Sequence, residues 1–352
     1  MRPARNPIQA WNAFWFGPIS ARPLGAFRII FGLITLFMLA LNWVDLDYWW
    51  TSAGLLRGGE PAEVAGPLRF SLLFGHDDPA TVHLVHAFTC LLAVLFTVGW
   101  HTRPVGFALY FAALTLHHRN ILANGGPDVL LIVLLFPLML SHCGAAYSLD
   151  ARRRARKLDG PAEPLIQPWA QRLIQIQLAA IYLNTAVLKC NGKNWLDGTA
   201  LHWVLNNPEI GRFSLDPLAQ YPLAINLLTY AALGIELMLP FLIWFRSSRR
   251  WVLPLGVMLH VGVFPIVNVP VFGELMMACY LTFLTPEELD GLLRLVDVRR
   301  WFRSRNELSG LDFRRLRVDQ PEPLRGPRQL PLPIRDHEGS LFEGAGSSAA
   351  AD

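Results

Sequence analysis

The stretch Leu24-Gly25-Ala26-Phe27-Arg28-Ile29-Ile30-Phe31-Gly32-Leu33-Ile34-Thr35-Leu36-Phe37-Met38-Leu39-Ala40-Leu41-Asn42-Trp43-Val44 decides the fold. It carries one charge, Arg28, and is otherwise almost wholly apolar. A bilayer hydrocarbon core of roughly 30 Å is crossed by about 20 helical residues, so this run is long enough to span. It follows Arg22, outlasts the apolar region of a signal peptide and is not followed by a small-residue cleavage site, so it reads as a retained span.

Working outward, similar runs recur at about 81–99, 104–118, 128–143, 172–189, 223–245, 252–268 and 271–285. Three of these, 104–118, 128–143 and 271–285, are near 15 residues and fit thin, tilted or re-entrant segments. Of the 352 residues 53% are apolar and only 16% charged, against roughly 25% charged in a soluble domain. The expected fold is therefore all-α, a polytopic transmembrane bundle of about eight spans in the plasma or inner membrane.

The basic residues test that count. With a cytoplasmic N-terminus, the inside segments hold Arg2, Arg5, Arg22, Arg103, Arg152, Arg153, Arg154, Arg156, Lys157, Arg172, Arg246, Arg249 and Arg250, which is 13. The outside loops hold 6: Arg57, Arg69, Arg119, Lys189, Lys193 and Arg212. That bias, with a basic C-terminal tail on the inner side, predicts both termini in the cytoplasm. The net charge of +4 is thus read as a lipid-surface feature, with the bilayer as partner and no nucleic acid. Cys90, Cys143, Cys190 and Cys279 are scattered, with no CxxC pair and no metal-ligand spacing, so neither a disulfide framework nor a metal is expected.

Outside the spans, residues 1–20 carry Trp11, Phe14, Trp15 and Phe16 and suit an interfacial segment. The membrane domain is expected over 21–285. Thr285-Pro286-Glu287-Glu288 reads as a capped helix start, opening an amphipathic, basic helix over 286–318 on the inner leaflet. Prolines, charges and a Gly/Ser/Ala end over 319–352 predict a disordered tail.

Polar residues at membrane depth are costly and therefore informative. Lys189 closes the fifth run, in Leu188-Lys189-Cys190-Asn191-Gly192-Lys193-Asn194-Trp195. A lysine held against apolar surface can be desolvated into a usable base, while the bland alternative is snorkelling to the interface beside a belt residue, Trp195. His117, His118, Arg119 and Asn120, with Asn124, Gly125, Gly126 and Asp128, form a dense polar loop on the same side. Neighbouring histidines on a helix point about 100° apart, so ligand hydrogen bonding or helix capping fits better than a metal. Glu236 and His260 lie inside the sixth and seventh runs, where they are expected to pair with each other, with Arg28 or with a ligand, or to act as interhelical glue. Glu274 opens the last run, and the aromatic loop from Trp43 to Trp50 reads as an interfacial anchor. No P-loop, nucleophile elbow, HExxH or dinucleotide fingerprint occurs.

Taken together, Arg22-Pro23-Leu24-Gly25-Ala26-Phe27-Arg28, Gly99-Trp100-His101-Thr102-Arg103, His118-Arg119-Asn120, Tyr147-Ser148-Leu149-Asp150, and the stretch from Gln175 through Lys189 to Gly198 resemble one family. The chain is similar to HTTM (horizontally transferred transmembrane) proteins, a family that includes the vitamin K-dependent gamma-carboxylase, over about 20–285. That resemblance implies a reaction centre near the extracytoplasmic membrane face. There a lysine, matched by Lys189, deprotonates a vitamin K-type quinol, menaquinol in a bacterial setting, as the first step of quinol-dependent carboxylation. His117, His118, Asn120, Asn124, Asp128 and Trp195 are then expected to hold or orient the quinol, with Glu236 and His260 shaping its cavity. The carboxylase's lumenal substrate-recognition domain has no counterpart in this tail. A second expectation is therefore a non-catalytic membrane factor for maturation or export of a secreted peptide. A third, a transporter using Glu236 and His260 as a proton relay, has the least support.

Overall fold

The computed structural model describes residues 6–57, 60–157, 163–207, 211–212, 218 and 220–296. The second part of the expected basic helix, 297–318, and the expected tail, 319–352, lie outside the described residues.

Each apolar run becomes a helix. Asn6 caps α1 (Pro7–Phe16), accepting a hydrogen bond from the Ile8 N–H at 3.1 Å, with proline in the first turn. Then follow α2 (Arg22–Asn42), the short α3 (Leu46–Trp50) and α4 (Glu60–Ala65), α5 (Pro79–Val98) and α6 (Thr102–Arg119). The chain continues with α7 (Gly126–Leu140), α8 (Leu149–Ala155), α9 (Trp169–Cys190), and two short helices, α10 (Lys193–Leu196) and α11 (Ala200–Leu205). It closes with α12 (Pro222–Leu242), α13 (Arg246–Val263), α14 (Phe272–Tyr280) and α15 (Pro286–Val296). Two-residue strands, β1 (Ile19–Ser20) and β2 (Leu165–Ile166), pair antiparallel and tie the entries of α2 and α9 together.

Among the described residues four helices, α2, α5, α9 and α12, are long and apolar enough to cross a membrane. The others fall short for identifiable reasons. α6 ends on His117, His118 and Arg119, and α13 begins on Arg246, Arg249 and Arg250. α7 has 15 residues, about 22 Å of helix, and α14 is shorter still before a turn of 3₁₀ helix over Leu281–Phe283. The chain is an integral membrane protein by these four helices.

The helices alternate in direction, giving the bundle two ends. At the end where α2 starts, Arg22 donates to the Tyr147 hydroxyl at 2.9 Å and pairs with Asp290 of α15. The fully buried Arg28 guanidinium donates to the carbonyls of Cys143 at 3.0 Å, Tyr147 at 2.7 Å and Thr97 at 3.4 Å. Asp150, on α8, accepts from the backbone of His101 at 3.0 Å and Thr102 at 2.8 Å, and from the Thr102 hydroxyl at 2.7 Å, so it caps α6. Burial acts to raise its carboxyl, but those hydrogen bonds together win and hold it below the usual carboxylate range. The Gly99–Arg103 and Tyr147–Asp150 motifs are therefore one structural joint. At the same end Thr285 and Glu288 form the expected capping box: the Thr285 N–H donates to Glu288 at 2.8 Å, and the Glu288 N–H to the Thr285 hydroxyl at 3.3 Å. α1 packs its Phe14 against Trp244 and under the Arg172 guanidinium, 4.7 Å from the ring centroid.

The core lies where α2, α5, α7, α9 and α14 meet, around Leu24, Phe27, Phe31, Phe96, Leu134, Leu138, Ile174 and Leu275, all essentially inaccessible. At the second end α10 and α11 cap the outer turns of α12. Tyr230 donates to the Leu196 carbonyl at 2.9 Å, and the Leu201 N–H to the Thr229 hydroxyl at 3.2 Å.

Candidate functional site

Side chains on a helix lean toward its N-terminus. α9 and α12 run antiparallel, so Lys189 near the end of α9 leans into the bundle while Glu236 on α12 leans toward the second end. The two meet: Nζ of Lys189 donates to Oε1 of Glu236. The side chains are 25% and 12% exposed, so the pair is largely removed from water. Trp195, carried round by α10, covers the amine, with Nζ 4.6 Å from its ring centroid. The second carboxylate oxygen of Glu236, Oε2, is buried without a hydrogen-bond partner. Such an atom leaves one acceptor site for a ligand or a proton.

Beside the pair runs a chain of hydroxyls and imidazole. The Tyr182 hydroxyl lies 2.6 Å from Nε2 of His260 on α13 and is hydrogen-bonded to the Tyr280 hydroxyl on α14. The pair and this chain of side chains share α9, where Tyr182 and Lys189 lie seven residues, two helical turns, apart. His260 also lines an apolar cavity of about 210 Å³ between α13 and α14, with Phe264, Val267, Phe272, Glu274 and Met277 among its walls. Gly273 packs closely against this histidine, since a Cβ there would stand 3.3 Å from Nδ1 of His260. The unit thus joins an ion pair, a tyrosine–histidine contact and an apolar cavity.

Of the arrangements open to Glu236 and His260, pairing with each other or with Arg28 does not occur among the described residues, and Arg28 serves carbonyls at the opposite end. Each instead bonds a residue of α9, Lys189 and Tyr182 respectively, the interhelical polar contact that is the other expectation. The amine of Lys189 is expected from the sequence to be held without its proton in a greasy pocket. It is in fact matched with the Glu236 carboxylate.

The remaining candidates form a separate group around the end of α6. His117, Asn124 and Asp128 line a smaller cavity of about 50 Å³ with Asn42, His86 and Thr89. Asn124 donates to the His117 carbonyl at 2.7 Å, and Asp128 accepts from the Gly125 N–H at 2.7 Å as the capping carboxylate of α7. His118 and Asn120 hold loops. Nδ1 of His118 is 2.9 Å from the Phe70 carbonyl, and the Asn120 amide donates to the Trp49 carbonyl at 2.7 Å. Arg119 is fully buried in an ion pair with Asp77 at 2.6 Å, so it is not a free surface charge. The ring of Phe272, against Gly126, stands where the two groups approach.

Tyr182, Tyr280 and His86 were not singled out from the sequence. Tyr182 had a signal: it precedes Lys189 by seven residues, two helical turns, with buried Ala186 between them on one face. Tyr280 and His86 had none, since only tertiary packing brings them to these sites.

An integral membrane bundle with an interhelical Lys–Glu pair and a tyrosine–histidine contact at an apolar cavity defines the class of protein. The profile of the HTTM domain matches residues 16–287, and the chain belongs to that family. It is 22% identical over 272 residues to the sporulation-delaying protein SdpB of Bacillus subtilis (strain 168), covering 74% of this chain and 80% of that protein. It is 21% identical over 235 residues to the uncharacterized protein YitO of the same organism, covering 64% and 74%. No solved structure matches the chain.

Proposed function

We propose that this chain is a multi-pass plasma or inner membrane protein of about eight spans with both termini cytoplasmic, and that Lys189 and Glu236 form its acid–base centre at the extracytoplasmic side. The reading is a vitamin K-type, quinol-dependent activity related to carboxylation. The observation that carries it is the Lys189–Glu236 pair, which leaves Oε2 without a partner beside the Tyr182–His260 contact and its cavity. A quinol ring suits the cavity chemically, since the walls are mainly valine and phenylalanine, with the His260 imidazole and the Glu274 carboxylate to meet ring hydroxyls. When bound, a quinol would supply the reducing electrons and an acidic hydroxyl. The protein's part is to exclude water, to orient that hydroxyl through His260, and to hold the proton between Nζ of Lys189 and the Glu236 carboxyl, with Tyr182 alongside. The test is quinol-dependent O2 uptake, and CO2 incorporation into an added glutamate-containing peptide, by the purified chain in nanodiscs. Lys189→Ala is expected to abolish both while the protein stays folded by circular dichroism. Equal rates in the variant and the parent would end the reading.

A second reading is favoured by one observation, the similarity to a sporulation-delaying protein over four fifths of that protein's length. Here the chain is a membrane factor for maturation or export of a secreted peptide, which contacts the outer loops around 45–80 and 190–222. Mass spectrometry of the secreted peptides, with and without the gene, tests it. An unchanged peptide profile would dismiss it, whatever the quinol assay shows.

A further inference from the structure

Where α2 starts and α13 begins, the bundle leaves a groove of about 800 Å³ between α13, α14 and the amphipathic α15. Leu253, Val257 and Val261 recur every four residues along its α13 wall, and Met277 and Leu281 face them. α15 closes one side with Leu292 and Leu295, both exposed. The mouth holds Arg249 and Arg250. Their situations differ: Arg249 donates to Glu288 at 3.2 Å, whereas exposed Arg250 has no carboxylate partner among the described residues.

We propose that this groove binds one anionic phospholipid from the leaflet on that side, with the phosphate on Arg250 and one acyl chain along α13. Two measurements fit this occupant. From Arg250 to Val261 is 11 helical residues, about 17 Å, close to the roughly 15 Å of hydrocarbon in one leaflet. Trp251 flanks the mouth, with the Arg250 guanidinium 5.5 Å from its ring centroid, which sets the mouth at headgroup level. A cation at that level and an apolar wall one leaflet deep match a lipid in both charge and length. The groove touches the site described above, since Tyr280 walls it and its hydroxyl bonds Tyr182. The proposal stands whether or not the chain acts on a quinol.

The test uses the full chain, delipidated in detergent and titrated in separate runs with phosphatidylglycerol and phosphatidylethanolamine, with bound lipid counted by native mass spectrometry. Phosphatidylglycerol is expected to bind about five-fold more tightly, in line with one basic contact near the membrane surface. Arg250→Gln should remove that preference and Arg250→Lys should keep it. Val257→Trp, which fills the groove, should lower retention of both lipids without changing the circular dichroism spectrum. Equal binding of the two lipids by the parent chain, an Arg250→Gln variant that still prefers phosphatidylglycerol, or a dimeric particle that excludes lipid would overturn the proposal.

Discussion

Taking the two charges of the central pair out one at a time should cost more than taking them out together. Lys189→Met leaves Glu236, 12% exposed and with one oxygen already unpartnered, as a carboxylate in an apolar bundle. Removing one partner of a buried pair costs about 3–5 kcal/mol, and the lower figure suits a site that is not fully closed. Glu236→Leu leaves an ammonium that is a quarter exposed and still faces Trp195, so about 2 kcal/mol is expected there. The double variant buries two apolar side chains in their place and should lie within about 1 kcal/mol of the parent. The coupling is then roughly 4 kcal/mol, beyond what independent sites produce. At about 2 °C per kcal/mol for a chain of this size, the single variants should melt about 6 °C and 4 °C below the parent, and the double variant about 2 °C below. Cys143 and Cys279 are buried and supply the readout: a thiol-reactive fluorophore reports their exposure on heating, in a Cys90→Ser, Cys190→Ser background. If both single variants melt with the parent, or the double variant is as unstable as their sum, the pair is not a buried unit and the acid–base argument loses its base.

The pH response of the α6 cap follows from the depressed carboxyl of Asp150. Its stabilisation is fully present above the unfolded value of about 3.9 and is lost as pH falls through the lower folded value, so the melting advantage over Asp150→Asn should shrink in acid. An advantage unchanged from pH 7 to the acid limit of the assay would refute that sign. At Gly32 a Cβ would collide with the Thr97 hydroxyl and come within 3.2 Å of the Thr97 Cα. Gly32→Val should therefore cost about 1–3 kcal/mol by overpacking, seen as a lower melting temperature, and a neutral result would show that α2 and α5 are not this close. Cys190 is exposed next to Lys189, so a membrane-impermeant maleimide should label it in intact cells. Labelling that requires permeabilisation would invert the proposed orientation.

Much of this architecture is legible in the sequence because the bilayer imposes it. All the apolar runs became helices, with bounds shifted by a few residues, and the Thr285–Glu288 cap formed as its residue types dictate. The sequence also placed Lys189, Trp195, Glu236 and His260 inside the membrane domain. It did not show which of them meet, because pairing depends on the relative heights of antiparallel helices, and periodicity is silent on height. Lys189 and Glu236 lie 47 positions apart and converge only because both side chains lean toward their own helix starts. Arg119 is an instructive reversal. Counted as an outer-loop charge, it turns inward to Asp77, because a buried carboxylate at the end of α6 offers it a partner that sequence spacing cannot reveal.

Arg28 has a consequence for how the protein is made. Its guanidinium is held by carbonyls that come much later in the chain, the last of them 119 positions on at Tyr147. At a synthesis rate of about 5–20 residues per second, that partner arrives roughly 6–24 s after Arg28 itself. Until then α2 carries a cation with no place to put it other than the membrane–water boundary. The helix that is translated first therefore cannot take its final depth first. It settles only when the turn after α7 emerges and closes over the guanidinium, so α2 waits for α5, α6 and α7 before it locks.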